Sequence, residues 1–163
     1  MELFSGTLKK VLTLSNYFRR HYKNGTVHLD PGILERMPQI PCDENLLWDE
    51  KISNKVFCRR LVEYRRRIVM EIILRDLSGV SNLDEVMKTM TSLAEYSLHA
   101  SIMQARVQLR KLYGEPQDED GKIQQIHIIA MGKLGGRELN VSSDIDLIFL
   151  YPQDGFTNGN ISI

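Results

Sequence analysis

Cysteine is scarce in this sequence. Its two copies among 163 residues, Cys42 and Cys58, make no C-x-x-C, and neither has a histidine nearby at metal-ligand spacing, so both read as buried or incidental thiols. Net charge is absent too. Lysine and arginine together number 21 and so do aspartate and glutamate, which gives no ground for an unspecific nucleic-acid coat or for adhesion to an anionic membrane. Any electrostatic function has to come from local clusters. No segment approaches the roughly 18 apolar residues of a membrane span, and Met1-Glu2 runs to Lys9-Lys10 without the apolar stretch of a secretion signal. A cytoplasmic location is the expectation. Internal repeats and low-complexity tracts are missing, and no basic patch interleaved with aromatics speaks for nucleic-acid chemistry. What is present is a length fit for one ordinary domain or two small subdomains, with 42% hydrophobic residues to fill a core.

Most of the chain carries helical periodicity. Leu8, Val11, Leu12, Phe18 and Tyr22 form a broken stripe over residues 7–22 that Asn24-Gly25 closes, which predicts a first helix. Prolines 31, 38 and 41 then forbid a long regular element and predict a short helix between turns. An acidic, short helical candidate around Trp48 follows. Phe57, Leu61, Tyr64, Ile68 and Ile72 recur at intervals of three and four, and Ser78-Gly79 ends that helix. Its other faces carry Arg59, Arg60, Arg65, Arg66, Arg67 and Arg75, interrupted by Glu63 and Glu71. These arginines fit either a solvated face with salt bridges or a basic surface turned toward phosphates or an acidic partner.

Ser81 with Asp84 resembles a capping box at the start of a helix close to thirty residues long. Its apolar positions run from Val86 through Met90, Leu93, Leu98, Ile102 and Ala105 to Leu109 and Leu112, and Gly114 with Pro116 ends it. Residues 1–115 are thus expected to form a helical region and 116–122 a polar linker. From 123 onward the period changes: the isoleucine-rich run Ile123 to Met131 and the apolar, aromatic run Asp146 to Tyr151 predict two strands.

Between those strands lies "GKLGGRELNVSSDID". Gly135 and Gly136 permit a tight turn and a close backbone approach to a phosphate, and Lys133 and Arg137 flank them with donors suited to an anion. Asp144 and Asp146, two apart at a strand start, are expected on one face, where their mutual repulsion calls for a cation. A hard ion such as Mg2+, which also takes phosphate oxygens, is the simplest one, and ions bridged by such residues suit phosphoryl or nucleotidyl transfer. Ser142 and Ser143 add hydroxyls beside the acids. The Gly-Lys here is no P-loop, since the G-x-x-x-x-G-K-[ST] order is absent. A glycine pair, seven residues, then Asp, an apolar residue and Asp is the nucleotidyltransferase pattern of the polymerase-β-like superfamily.

Over a longer span the wording "MGKLGGRELNVSSDIDLIFLYP" resembles the signature of the bifunctional glutamine synthetase adenylyltransferases and adenylyl-removing enzymes. The "ELNVSSDIDL" form is more similar to the N-terminal, adenylyl-removing half of that family. "CRRLVEYRRRIVMEIILRDLSG" and "LDEVMKTMTSLAEYSLHASI" resemble the helical region before it, so the likeness covers roughly residues 30–155. It implies an α+β fold, mainly helical here, in which long helices precede the first strands of an incomplete nucleotidyltransferase sheet beginning at residue 123. It also implies removal of AMP from a tyrosine of glutamine synthetase, with phosphate as acceptor and ADP as product, in the control of nitrogen assimilation.

On that resemblance Asp144 and Asp146 are the catalytic, Mg2+-binding pair, Gly135, Gly136 and Ser143 shape the phosphate pocket, and Lys133 or Arg137 steadies the anionic groups. Glutamine synthetase, a PII signal protein, ADP or ATP and phosphate are the implied partners, with glutamine as an effector and neither nucleic acid nor membrane involved. The superfamily takes a third carboxylate from a later strand, and Asp154, in a Pro-Gln-Asp-Gly turn, is in the wrong place for it. We therefore expect an N-terminal fragment without turnover of its own. Two other readings stand beside this one: a nucleotidyltransferase that adds a nucleotide to a protein or small molecule, and a non-catalytic helical interaction module.

Overall fold

The computed structural model describes residues 2–25, 27–40 and 49–161. Cys42, Trp48 and most of the acidic candidate around that tryptophan lie outside them. The described chain is mainly helical with a few short antiparallel strands, an α+β arrangement. In order it runs α1 (Glu2–Leu14), α2 (Asn16–Lys23), a 3-10 turn (Pro31–Leu34), α3 (Asn54–Ser78), α4 (Leu83–Tyr113), β1 (Pro116–Gln117), β2 (His127–Met131), α5 (Gly132–Gly135), β3 (Asp146–Leu150) and β4 (Phe156–Thr157).

The first helical stripe is two helices, not one. Ser15 interrupts it: its backbone is extended, and its side chain accepts a hydrogen bond from the Phe18 N–H as the cap of α2. A serine between two apolar turns favours such a cap over continued helix. The start of α4 also differs from the expected capping box. Asn82 is the cap, accepting from the Glu85 N–H at 2.9 Å, one residue past Ser81. The end of α3 matches its sequence signal, with Gly79 at φ 81° and the Val80 N–H returning to the Arg75 carbonyl.

Helix α3 is the central element, packed against α1, the 3-10 turn and α4. From Ile68 to Arg75 every residue is buried, so its second half is enclosed on all sides, more than a single stripe implies. Its charged residues there are enclosed with it. Arg75, grouped by its sequence position with a solvated face, is 5% exposed. Its guanidinium donates to both carboxylate oxygens of Glu85 at the start of α4 and to the carbonyls of Ile33 and Arg36 beside the 3-10 turn. One side chain thereby joins three segments, with a planar donor fork that lysine lacks.

Glu71 is buried beside it, takes a hydrogen bond from Arg67 at 3.2 Å, and has its pKa raised by burial against the opposing pull of Arg67. The burial of α4 fades along its length: Val86, Met90 and Leu93 are in the core, whereas Leu109 and Leu112 are exposed. Gln104, 2% exposed, ties α4 to the segment before α3 by accepting from the Asp49 N–H and donating to the Ile52 carbonyl.

The strands form two separate pairs. β2 and β3 run antiparallel with Met131 opposite Asp146 and Ile129 opposite Ile148. Ala130 and Leu147, on one face of this ribbon, pack against the helical core. On the other face Ile129, Ile148 and Leu150 are 44–45% exposed. β1, in the polar stretch after α4, pairs with β4, which lies beyond β3, and the sequence shows no strand signal at either. Asn158 secures that pair to the end of α4 by accepting from the Glu115 N–H at 2.8 Å, and Gly114 and Gly159 leave no room for a Cβ between the two backbones.

Replacing Arg75 by Met is expected to cost about 3–5 kcal/mol, because it strands the Glu85 carboxylate in a buried site; a urea melt checks this, and the further change Glu85→Leu should recover part of the loss. Glu71 has a folded pKa above its ordinary 4.5, so its favourable contribution is complete below that value and is lost as pH rises through the folded one. Glu71→Gln should therefore melt above the parent at pH 7, with the gap closing below about pH 4.5 in a thermal melt.

Candidate active site

The quoted segment between the strands is a turn of helix and two loops set on the helical core. Two leucines hold it there. Leu134, inside α5, is 3% exposed and Leu139 is 2% exposed, and both belong to the main core cluster with Ile68, Met90 and Leu93. The polar residues around them face outward: Lys133, Gly135, Gly136, Arg137 and Glu138 are all exposed. Alternating Leu with charge in this short segment thus divides it into a buried footing and an accessible rim.

The glycines have distinct tasks. Gly132, which the glycine-pair argument passed over, turns the chain out of β2 with φ 55°. A Cβ placed on it would stand 3.2 Å from Oδ2 of Asp146, so the carboxylate lies directly over a bare backbone. Gly135 closes α5 back onto β2, and a Cβ there would meet the Ala130 carbonyl oxygen at 2.5 Å. Gly136 has ordinary right-handed backbone, φ −79°, with only normal contacts around it. The positive φ expected of a helix-ending glycine falls instead on Arg137, φ 60°, while the Arg137 and Glu138 N–H groups return to the carbonyls of Leu134 and Lys133. The Arg137 guanidinium is paired with Glu95 of α4 at 3.1 Å. It therefore ties the turn to the helices, whereas Lys133 projects from α5 as an exposed cation.

Downstream, Asn140 organises the approach to the acids. Its side-chain oxygen accepts from the backbone N–H and the hydroxyl of Ser142, both at 3.0 Å. Its own N–H donates to the Ser143 hydroxyl oxygen, and the Ser143 N–H returns to its carbonyl, each at 3.2 Å. This is a compact turn of the kind that Asn and Ser side chains favour. "N-V-S-S" was its available sequence signal. Ser143 is half-buried, with its hydroxyl proton left to donate outward.

Regular pairing of β3 begins at Asp146, so alternation places that carboxylate on the exposed face with Ile148 and Leu150. Asp144 precedes the strand and lines a groove of about 260 Å³ between this loop and α3–α4. Both carboxylates are exposed and supply hard oxygen donors. No group of three or more His, Cys, Asp or Glu side chains suited to a metal occurs among the described residues. Two carboxylates suit Mg2+, which commonly keeps water and substrate phosphate in its remaining positions. The bare backbone of Gly132 beside Asp146 leaves space for such a ligand shell.

The glycine pair is therefore expected to respond unequally. Gly135→Ala should lower stability by about 1–3 kcal/mol by driving α5 off β2, while Gly136→Ala, at compatible backbone angles, should be neutral or gain about 0.4–1 kcal/mol. Thermal melts of the two variants decide this.

Residues 8–163 match the family model described as glutamate-ammonia ligase adenylyltransferase. The chain is 38% identical over 165 aligned positions, 96% of its length, to the bifunctional glutamine synthetase adenylyltransferase/adenylyl-removing enzyme of Nitrosomonas eutropha, of which the match covers 18%. The enzyme of the same description from Chromobacterium violaceum is 40% identical over 96% of the chain and 17% of its own length. That from Aromatoleum aromaticum is 52% identical over 59% of the chain and 10% of its own length. The chain thus spans less than a fifth of these relatives. With nearly all of its residues matched, helices and site loop alike, the chain belongs to the glutamate-ammonia ligase adenylyltransferase family.

Proposed function

We propose that this chain forms the opening part of a nucleotidyltransferase site that removes AMP from an adenylylated tyrosine of glutamine synthetase by phosphorolysis. The observation that carries the reading is the seating of the Asp146 carboxylate over Gly132, at the mouth of a glycine turn that also presents Lys133. An acid and a bare backbone meet there, with the cation Lys133 next to Gly132 in the chain, which suits a phosphate-bearing substrate. The names of the relatives include glutamine synthetase and both directions of adenylyl transfer.

In the proposed reaction an oxygen of inorganic phosphate bonds to the adenylyl phosphorus as the bond to the tyrosyl oxygen breaks, giving ADP and, after protonation, free tyrosine. Asp144 and Asp146 are the residues that would hold Mg2+, which supplies charge compensation at the phosphoryl oxygens. The Asn140 turn sets Asp144 and Ser143 side by side. Ser143 has a proton to donate to a phosphate oxygen, and the buried leucines keep the loop from moving away as charge develops. Lys133 adds a mobile positive charge at the rim. Regulation by a PII protein and glutamine, read through other regions, and a cytoplasmic setting complete the proposal. Among the described residues no helix is long and apolar enough to cross a membrane.

The opposite direction, AMP transfer from ATP to the tyrosine, is the second reading, since the relatives' descriptions include it. A chimera separates the two: this chain replaces the matched segment of the Nitrosomonas eutropha enzyme, and the purified product meets adenylylated glutamine synthetase, Mg2+ and phosphate. Phosphate-dependent ADP release is expected, reduced on the order of 100-fold by Asp144→Asn, with none from the 163-residue chain alone. AMP incorporation from ATP that Asp144→Asn abolishes, without ADP release, would establish the second reading instead. A folded chimera in which Asp144→Asn changes neither activity would remove the aspartates from the chemistry.

A further inference from the structure

Six arginines on α3 were candidates for a phosphate-facing surface, and the tertiary structure separates them. Arg75 is committed to its buried network, and Arg67 is paired with Glu71 beneath the ring of Tyr64. Arg65 alone among them lines the groove that Asp144 and Ser143 also line. Opposite charges therefore face one small groove, yet neither Arg65 nor Asp144 takes part in an ion pair among the described residues. Two charges that share a groove without closing on each other are both free to engage a ligand.

The hydroxyls around them narrow what that ligand is. Ser97 and Ser101 of α4 line the same groove, but each donates its proton to a carbonyl of its own helix, that of Leu93 at 2.6 Å and of Ser97 at 2.7 Å. They present lone pairs only. Ser143 is the exception, because it accepts from the Asn140 N–H and keeps its proton. An anion entering the groove thus finds its one cationic donor at Arg65, a hydroxyl donor at Ser143 and the Asn140 amide on the same wall, and a carboxylate, with any cation it holds, at Asp144. Apart from Asn140, whose side-chain oxygen is taken up by Ser142, the remaining wall is apolar, with Met90, Leu93, Leu139 and Ile145 among its residues. At about 260 Å³ the space is below the about 300–1,000 Å³ that encloses a drug-sized ligand, so it takes one moiety and not a whole nucleotide.

We propose that Arg65 is a substrate-binding residue: its guanidinium receives a phosphate group in this groove, between Ser143 and the acid at Asp144. The inference rests on the nucleotidyltransferase reading and assigns the helical layer a direct share in it. The phosphate belongs either to the adenylyl group or to free inorganic phosphate, and the chemistry of recognition is the same for both.

Binding of ADP, AMP, inorganic phosphate and adenosine to the 163-residue chain in the presence of Mg2+, followed by calorimetry, tests this with Arg65→Met, Arg65→Lys, Asp144→Asn and the exposed control Arg60→Met. Circular dichroism checks that each is folded. The expected result is that Arg65→Met weakens ADP about tenfold and flattens the salt dependence of its binding, that Arg65→Lys recovers part of the loss, and that adenosine and Arg60→Met are unaffected. A matching loss for AMP places the adenylyl phosphate at Arg65; a matching loss for inorganic phosphate places the acceptor there. If Asp144→Asn loses ADP while Arg65→Met binds it as the parent does, the inference falls and the metal-site reading stands. If Arg65→Met weakens adenosine as much as ADP, the residue acts through structure alone and the inference falls. If the parent chain binds none of the four ligands, the site reading falls and takes the inference with it.

Discussion

Burial of Leu134 and Leu139 in the helical core is the constraint on which the accessible chemistry depends. Almost every polar group of the site segment faces solvent, and exposed loops of this size hold a shape only when something beneath them is fixed. Two leucines five residues apart supply that footing, one in the short helix α5 and the other just before the Asn140 turn. Asp144 and Asp146 then follow at a set distance along the chain from a buried anchor. The helices are therefore more than a neighbouring layer, because they are the floor of the site.

That floor is itself held by a polar device. Arg75 joins α3, α4 and the 3-10 turn through four hydrogen bonds in the interior. The apolar contacts around it, from Ile68 to Leu74, supply the hydrophobic term, whereas the directional bonds of the guanidinium fix how the segments meet. The same helix serves both ends: its buried half sets the core, and Arg65, near its middle, reaches the groove of Asp144. In contrast, the outward face of the β2–β3 ribbon, with Ile129, Ile148 and Leu150, carries apolar side chains in solvent. With Ala130 and Leu147 on the opposite face, the strands carry apolar side chains on both faces, a pattern common to strands that are enclosed on both faces.

Much of the architecture was legible in the one-dimensional pattern. The spacing of Phe57, Leu61, Tyr64 and Ile68 located α3, Gly79 its end, and Gly114 the end of α4. The isoleucine-rich and aromatic runs located β2 and β3 to within a few residues. The break at Ser15 was less visible because the apolar stripe continues across it, and a cap competes with helix by a single side-chain bond. The β1–β4 pair left no signal at all, since each strand has two residues and is held by Asn158 and by glycines that permit backbone contact. Within the site, the glycine pair drew notice by its repetition, yet Gly132 and Gly135 meet the steric demands while Gly136 meets none. Which glycine needs to lack a Cβ depends on what stands opposite it, and a sequence does not record that.

By itself, then, the sequence determined the long helices α3 and α4, the strands β2 and β3, and the grouping of glycines, cations and aspartates in one short segment. Those are consequences of local sterics and hydrogen bonding, which act between residues close along the chain. Only the tertiary structure decided which arginine is buried, which is paired with a neighbour and which stands beside Asp144, although all of them lie on one helix and look alike in the sequence. The reason is that a helix face acquires its meaning from what packs against it. α4, the 3-10 turn and the site loop, far away in sequence, enclose Arg75 and leave Arg65 at the edge of a groove.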